Sequence, residues 1–199
     1  MRDRLEFGMP NQLSLLDGAR TLPEGFRYQP SLVSLAEHDE LVRALRDLPF
    51  RNFEFHGHLG KRRVVFYGWR YDFNQGGLQK AEPIPEFLQP LREKAAAFAE
   101  LPAERLQHVL VTEYELGAPI GWHRDKAVFG DVIGVSLLAP CIFRLRRSVG
   151  DKWERASVNL EPRSVYLLRG PSRTEWEHSI PPVESLRYSI TFRSMREGS

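Results

Sequence analysis

The sequence predicts a mainly β chain whose short strands close into a jelly roll, with helices packed outside it. Two stretches in the first half have the apolar periodicity of amphipathic helices, whereas the second half, from Gln107 onward, is a series of short apolar runs. Glycine and proline separate these runs, as they do in sandwiches and barrels. The length of 199 residues accommodates one hydrophobic core, so we expect a single domain.

An extended arm and then a helix are predicted at the start of the chain. Residues 1–27 are rich in glycine, proline and polar side chains and lack periodicity, so the domain is expected to span residues 28–199. Ser34 and Glu37 have the spacing of a capping box, and apolar residues then recur at helical spacing until a proline. A helix is therefore predicted over about residues 35–48.

The remaining elements are predicted in the same way. Residues 62–73 alternate apolar with polar side chains and indicate a strand or hairpin, and residues 85–100 have the apolar face of a second helix. The jelly-roll core is expected at about residues 105–195. Its strands are predicted at 108–114, 132–138, 141–146, 155–160, 164–169 and 186–193.

Composition indicates a folded protein of a reducing compartment. The apolar share is 42% and the charged share 27%, close to globular averages. Cys141 is the only cysteine, which excludes an intramolecular disulfide and a cysteine-rich zinc site. A net charge of +2 is compatible with a phosphate-bearing partner but does not require one. No stretch has the pattern of a secretory signal or a membrane span, so we expect a cytoplasmic protein with no membrane partner.

Three residues are candidates for a metal site. His123 and Asp125 are two positions apart, and on an extended strand this spacing places both side chains on one face. His178, which ends the run Trp-Glu-His before a pair of prolines, is the best third ligand. Two histidines and one carboxylate favour Fe(II) over zinc. A polar pair at a strand end, without a metal, is the alternative for the first two residues taken alone.

Two arginines close the last predicted strand. Arg187 and Arg193 lie in a run that otherwise alternates apolar and polar residues, and Arg187 is expected to face inward. A buried guanidinium needs an anion, and its planar fork matches a carboxylate. An acidic cosubstrate is one candidate for this anion, and a core aspartate or glutamate is the other.

These motifs, in this order, are similar to those of the AlkB family of iron- and 2-oxoglutarate-dependent dioxygenases, whose signature is His-x-Asp, a distal His and a final Arg-x5-Arg. The resemblance runs from about residue 63 through Met195. It implies a double-stranded β-helix core with N-terminal helices and a nucleotide-recognition lid at about residues 50–78. It implies Fe(II), 2-oxoglutarate and O2 as cofactors. The iron ligands would be His123, Asp125 and His178.

The resemblance also implies which residues contact the cosubstrate. Arg187 would pair with the distal carboxylate of 2-oxoglutarate, and Arg193 would support that pocket. Tyr114 would contact the cosubstrate from a neighbouring strand, although an ordinary core tyrosine is the alternative. The family often has asparagine where this chain has Thr112 and Ser189, so it stays open whether these shorter hydroxyl side chains contact the cosubstrate.

The implied reaction is the oxidative demethylation of N-alkylated bases in DNA or RNA, with release of formaldehyde, succinate and CO2. Both DNA repair and RNA demethylation are compatible with the sequence. One alternative is an AlkB-like dioxygenase that acts on a protein or another non-nucleic-acid substrate. A second is a non-catalytic nucleic-acid-binding module of the same fold. A monomer is expected in each case.

Basic and aromatic residues interleave in the segment that matches the family's lid. Phosphates are expected to meet the basic side chains, and an extruded base to stack on an aromatic ring or on His123. The alternative is that the aromatic residues fill the underside of the sheet. The predicted substrate contacts in this segment are Lys61, Arg62, Arg63, Trp69, Arg70 and Tyr71.

A short motif in the arm suggests one further partner. The run Gln12-Leu13-Ser14-Leu15-Leu16 is similar to the peptide with which bacterial repair proteins dock on the sliding clamp. A plain arm that packs its leucines on the domain is the alternative, because five-residue matches arise by chance.

Overall fold

The computed structural model describes residues 22–55, 58–72 and 76–196. Three helices are present in these ranges, α1 Leu35–Arg46, α2 Gln89–Ala99 and the short α3 Pro171–Thr174, with 3-10 turns at Glu86–Leu88 and Ala103–Arg105. The strands are β1 Phe26–Gln29, β2 Arg51–Phe55, β3 His58–Tyr67, β4 Trp69–Tyr71, β5 Leu78–Lys80, β6 Leu106–Tyr114, β7 Ile120–His123, β8 Phe129–Leu137, β9 Cys141–Val149, β10 Lys152–Leu160, β11 Val165–Leu168, β12 Glu177–Ile180 and β13 Arg187–Met195.

The strands form a jelly roll of two main sheets, which confirms the predicted fold class. Seven strands make the larger sheet in the order β1-β11-β8-β13-β6-β3-β2, and four make the smaller sheet in the order β10-β9-β12-β7. Strands β4 and β5 form a separate hairpin. Apart from β2 with β3 and β9 with β10, neighbours in the main sheets are not consecutive in sequence, as in a sandwich with crossing connections. The sequence therefore predicted the architecture correctly.

Both predicted helices are present and cover the outer face of the larger sheet. At the start of α1, the Ser34 hydroxyl accepts a hydrogen bond from the amide of Glu37 at 3.2 Å, and the Glu37 carboxylate accepts one from the Ser34 amide at 2.8 Å. The capping box predicted from the sequence thus exists, and α1 ends two residues before the predicted limit. Leu45 and Leu88 are fully buried where the helical region packs on the sheet.

All six strands predicted in the second half are present, as β6, β8, β9, β10, β11 and β13. The short strands β7 and β12 were missed, because four residues show too little alternation to be recognised. The segment predicted at residues 62–73 divides at Gly68 into β3 and β4. Gly68 has a φ of +74° and lies so close to the Gln107 carbonyl that a Cβ would come within 2.0 Å of it. Only glycine fits this break between the strands.

The last strand separates the helix-packed core from the interior of the sandwich. Side chains alternate along β13, so that Tyr188, Ile190 and Phe192 belong to the core beneath the helices. The intervening residues, from Arg187 to Arg193, face the other sheet. The interior side of β13 is therefore polar, and the functional site lies there.

Several predictions from the sequence fall on residues outside the described ranges. The clamp-like run at residues 12–16 is among them, so docking to a sliding clamp stays a prediction. Within the predicted arm, Phe26 and Arg27 pair with β11, and the division at residue 27 also stays a prediction. In the described ranges, no helix has the length and apolar character needed to cross a bilayer.

Candidate active site

A cavity of about 530 Å³ lies between the two main sheets. Its walls come from β3 and β6, from the interior side of β13, and from β7 and β12 of the smaller sheet. Both apolar and polar side chains line it, which is typical of a pocket that holds a small molecule or an extruded group. All three candidate metal ligands line this cavity.

The candidate ligands converge because β7 and β12 are paired. His123 and His178 are directly opposite in the antiparallel register, and their ring centroids are 4.2 Å apart. One carboxylate oxygen of Asp125, Oδ2, lies 3.6 Å from Nε2 of His178. The three ligand atoms all lie within 4.8 Å of one another, so one metal ion can be shared among them.

Asp125 reaches this cluster from a loop. Strand β7 ends at His123, so the expectation that both residues lie on an extended strand was wrong for Asp125. The loop is fixed instead by Arg173 of α3, which is buried and donates hydrogen bonds to four backbone carbonyls. The acceptors are Asp125 at 3.2 Å, Lys126 at 2.6 Å, Phe129 at 3.0 Å and Gly130 at 3.0 Å.

The charge on Asp125 is stabilised by Arg193. Burial alone would raise the pKa of this carboxyl, but the charge of Arg193 outweighs burial and holds the pKa well below its usual range. Nε of Arg193 donates to Oδ1 of Asp125 at 2.7 Å. The second oxygen, Oδ2, is buried and has no hydrogen-bond partner. Asp125 therefore presents to the ligand cluster an ionised oxygen that has no hydrogen-bond partner.

Both candidate histidine ligands are neutral at physiological pH. Burial, followed by the neighbouring His123, lowers the pKa of His178 to about 3, and burial also lowers the pKa of His123. The contact of 3.6 Å between His178 and Asp125 is therefore not an ion pair. Nδ1 of His123 lies 2.9 Å from the carbonyl of Gly121 and donates to it, which leaves Nε2 free as a metal ligand.

These pKa values predict that metal binding resists acid. A histidine whose pKa in the folded chain is lowered keeps its neutral form as the pH falls through 6.5, so protons compete with the metal only at lower pH. Co(II) can replace a metal that is easily oxidised, and its visible absorption reports binding. The absorption of bound Co(II) should change little between about pH 7 and pH 5. Loss of half the bound Co(II) near the ordinary histidine pKa would contradict this expectation.

Arg187 lies at the end of the polar row on β13. Its side chain is fully buried, and Nε donates to the Ser136 hydroxyl at 3.2 Å. The guanidinium carbon lies 5.0 Å from the ring centroid of Tyr114, which lines the cavity. Arg187 forms no ion pair in the described part of the chain, so the core carboxylate that the sequence left open as its partner is not there. Its NH1 nitrogen has no hydrogen-bond partner.

The other predicted cosubstrate contacts also face the cavity. Thr112 and Ser189 are directly opposite on β6 and β13, and both line it, as do Tyr114 and Arg193. Arg193 contacts Asp125, so it links the predicted cosubstrate contacts to the candidate metal ligands. The structure therefore brings together every residue predicted for metal and cosubstrate at the cavity wall except Arg187, which is not among the lining residues but lies against the ring of Tyr114.

The predicted substrate residues divide into two groups. Arg62 and Tyr71 line the cavity, and the guanidinium of Arg62 lies 4.1 Å from the ring centroid of Phe53. Arg63 points to the opposite face of β3, where its Nε donates to Glu113 at 2.6 Å, and Trp69 does not line the cavity either. Arg70 is exposed and donates to Gln79, and Lys61 is exposed.

Two further cavity residues were missed in the sequence. His108 is buried beside Arg193, 3.3 Å from its NH1, and burial together with Arg193 lowers its pKa well below the ordinary value. Tyr166 packs its ring against Gly134, where a Cβ would come within 2.3 Å of the ring. A glycine in the middle of a predicted strand signals such a close approach and could have pointed to the ring.

Fe(II) and a dicarboxylate fit this site. The buried side-chain atoms without a hydrogen-bond partner in the described ranges are Oδ2 of Asp125 and NH1 of Arg187. The first is an anionic oxygen beside two neutral imidazoles, which is a donor set that Fe(II) oxygenases use. The second is a cationic donor in need of an anion. Each unsatisfied atom is therefore complementary to one of the two groups.

Comparison with known proteins gives concordant results. The model of the 2OG-Fe(II) oxygenase superfamily matches residues 25–193. The Alkylated DNA repair protein ALKBH8 homolog of Arabidopsis thaliana is 27% identical, over 94% of this chain and 60% of its own length. Mouse tRNA (carboxymethyluridine(34)-5-O)-methyltransferase ALKBH8 is 25% identical, over 83% of this chain and 25% of its own length. The chain thus spans only part of these two relatives.

In two other comparisons, the match covers most of this chain and most of the matched protein. The bovine Alpha-ketoglutarate-dependent dioxygenase alkB homolog 7, mitochondrial, is 29% identical, over 85% of this chain and 78% of its own length. Among solved structures, that of OsALKBH1 superimposes with a TM-score of 0.69 at 18% identity, over 87% of this chain and 98% of that one. The two structures share the same fold.

Proposed function

The chain belongs to the 2OG-Fe(II) oxygenase superfamily and is AlkB-like, and on this premise we propose that it oxidatively demethylates N-alkylated bases in nucleic acid. One observation carries the proposal. The cavity of about 530 Å³ is lined both by the three candidate iron ligands and by Arg62 and Tyr71, a cation and an aromatic ring suited to hold a base.

The candidate metal and cosubstrate residues have the following proposed roles. His123, Asp125 and His178 would hold Fe(II), and Arg187 would pair with the distal carboxylate of 2-oxoglutarate. Thr112, Tyr114 and Ser189 would offer hydroxyls to the cosubstrate, and Arg193 would keep Asp125 ionised. Fe(II) with 2-oxoglutarate and O2 supplies the hydroxylation of a C–H bond, with succinate and CO2 as the products of the cosubstrate. A hydroxylated N-methyl group then leaves as formaldehyde.

The remaining cavity residues are proposed to position the base. The guanidinium of Arg62 lies 4.1 Å from the ring centroid of Phe53, which also lines the cavity, and there it would offer donors to a base carbonyl. The ring of Tyr71 lies 4.9 Å from the ammonium group of Lys126, and its face is suited to stacking. Arg173 fixes the loop that carries Asp125, so the methyl group would meet a rigid ligand cluster.

The relatives support a nucleic-acid substrate in general terms. The name of one ALKBH8 relative refers to alkylated DNA repair and that of the other to tRNA, so both concern nucleic acid. The name of the alkB homolog 7 relative gives no substrate. We therefore propose nucleic acid as the substrate class and leave DNA and RNA as outcomes of the experiment. A cytoplasmic location and a monomeric state stay predictions.

The test is an assay of the full chain with Fe(II), 2-oxoglutarate and O2 on oligonucleotides that carry N-methylated bases. Formaldehyde is expected in amounts equal to succinate, and only when the base is methylated. Matched unmethylated oligonucleotides are the control, and DNA and RNA versions are compared side by side. Succinate formation at the same slow rate with and without a methylated base would contradict the proposal and favour a protein or other non-nucleic-acid substrate.

A further inference from the structure

The outer face of the smaller sheet carries interleaved arginines and tryptophans. On β9, Arg144 and Arg146 alternate with the buried Phe143 and Leu145, so the two arginines point away from the cavity. On β10, Ala156 is buried and pairs with the buried Leu145, so its neighbour Arg155 points to the outer face. Trp153, two residues before Arg155, lies on the same outer face. We call Trp122, Arg144, Arg146, Trp153 and Arg155 the arginine–tryptophan face.

These side chains stack on one another across three strands. The guanidinium of Arg146 lies 4.3 Å from the ring centroids of both Trp122 and Trp153. That of Arg144 lies 5.2 Å from the ring of Trp122. Each cation is therefore held over an aromatic face by an attraction that orders both groups. The result is a fixed row of planar groups on the surface, and 43% of Trp153 is exposed.

The described residues do not balance the charges on this face. Arg155 is directly opposite Arg146 in the register of β9 and β10, and like charges in such positions destabilise a sheet. Glu177 compensates Arg146 alone, through a contact of 2.7 Å. Three positive charges thus share one carboxylate. A polyanion bound to the face would offset this repulsion.

The arginine–tryptophan face adjoins the cavity. Trp122 belongs to both, since its ring lies against Arg144 and Arg146 and the residue is among those that line the cavity. Arg124, the exposed neighbour of His123, lines the cavity as well. A chain whose base occupies the cavity would therefore leave it directly onto this face.

We propose that the arginine–tryptophan face binds the single-stranded nucleic acid that flanks the base held in the cavity. This inference rests on the proposed function. Phosphates meet Arg144 and Arg155, and an unpaired base stacks on the exposed face of Trp153. A single strand is the occupant because exposed aromatic rings bind unpaired bases, whereas a duplex keeps its bases stacked inside and offers only phosphates.

The first test measures binding of a labelled oligothymidylate of about 15 nucleotides, a length that spans one such site. The double variant Arg144→Gln/Arg155→Gln of the full chain is expected to bind about tenfold more weakly at low salt. The slope of log K against log salt should become shallower by about 1.4, because each phosphate contact on a single strand contributes about 0.7. Thermal melting checks that the variant is folded.

Matched controls separate local contacts from net charge. The double variant Arg43→Gln/Arg46→Gln also removes two positive charges, but from α1 on the far side of the larger sheet. It should change the Kd by less than about twofold. The single variant Arg155→Gln, at an exposed residue, should give about half of the slope change. Trp153→Leu should weaken binding about fivefold with the slope unchanged, because stacking releases no counterions.

The outcomes distinguish failure of the face from failure of the proposed function. If the wild-type chain demethylates oligonucleotides but the Arg144→Gln/Arg155→Gln variant binds as the α1 control does, the face is wrong and the proposed function stands. If a duplex binds as tightly as the single strand and Trp153→Leu has no effect on binding, the proposal that the face binds a single strand is also wrong. If the wild-type chain neither binds oligothymidylate nor releases formaldehyde from methylated oligonucleotides, both proposals fail.

Discussion

Replacing His123 with alanine is expected to reduce turnover of 2-oxoglutarate more than about a thousandfold while the chain remains folded, because loss of a bound metal removes several kcal/mol of transition-state stabilisation. The side chain is half-buried, and its hydrogen bond is to the Gly121 carbonyl, so the fold does not depend on it. The substitution removes one of the three ligand atoms. Succinate formation measures turnover, and thermal melting measures folding.

A matched histidine provides the control for this variant. His38 lies on α1 and accepts a hydrogen bond from the Leu138 amide, far from the cavity. The variant His38→Gln is expected to keep full turnover and full Fe(II) affinity. If His123→Ala retained the wild-type rate, the assignment of the iron site would be wrong.

Replacing Arg187 with methionine is expected to raise the 2-oxoglutarate concentration required for half-maximal turnover by at least about thirtyfold. Truncating one member of a buried charge pair costs about 2–5 kcal/mol of binding free energy. Without cosubstrate, the substitution is expected to stabilise the chain, because the buried guanidinium that it removes has a nitrogen with no hydrogen-bond partner. An apolar side chain of similar length should raise the melting temperature of the metal-free chain.

The pair of effects distinguishes a binding role from a structural one. A structural arginine would lower the melting temperature when it is removed and would leave the cosubstrate requirement unchanged. Arg187→Lys keeps the charge but loses the planar fork, so it should recover only part of the affinity. Equal cosubstrate requirements for Arg187→Met and wild type would show that another group binds the distal carboxylate.

The composition of the metal site could be predicted from the sequence, but the way it is held could not. Two histidines and an aspartate of the right spacing predict a shared ion, and pairing of β7 with β12 brings them together. Arg173, in contrast, holds the loop through hydrogen bonds to backbone carbonyls. Every residue type has a carbonyl, so these hydrogen bonds leave no pattern in the sequence.

The substrate side shows a second limit of sequence reasoning. Arg62 and Arg63 are adjacent on β3, so the alternation of the strand sends only one of them into the cavity. Which one enters depends on Glu113 of β6, which lies opposite Arg63 and pairs with it. Such a contact depends on strand register, which the sequence alone did not provide. The helices, by comparison, were predicted well because the capping box and the apolar spacing are local signals.

The most direct test of the iron and cosubstrate site is an anaerobic titration of the full chain with Fe(II) and 2-oxoglutarate, followed by visible absorption. A weak charge-transfer band that requires both additions, saturates at one Fe(II) per chain and is absent in His123→Ala is the expected result. A chain that gives no band at saturating Fe(II) and 2-oxoglutarate, or a variant that gives the same band as wild type, would contradict the site assigned to His123, Asp125 and His178.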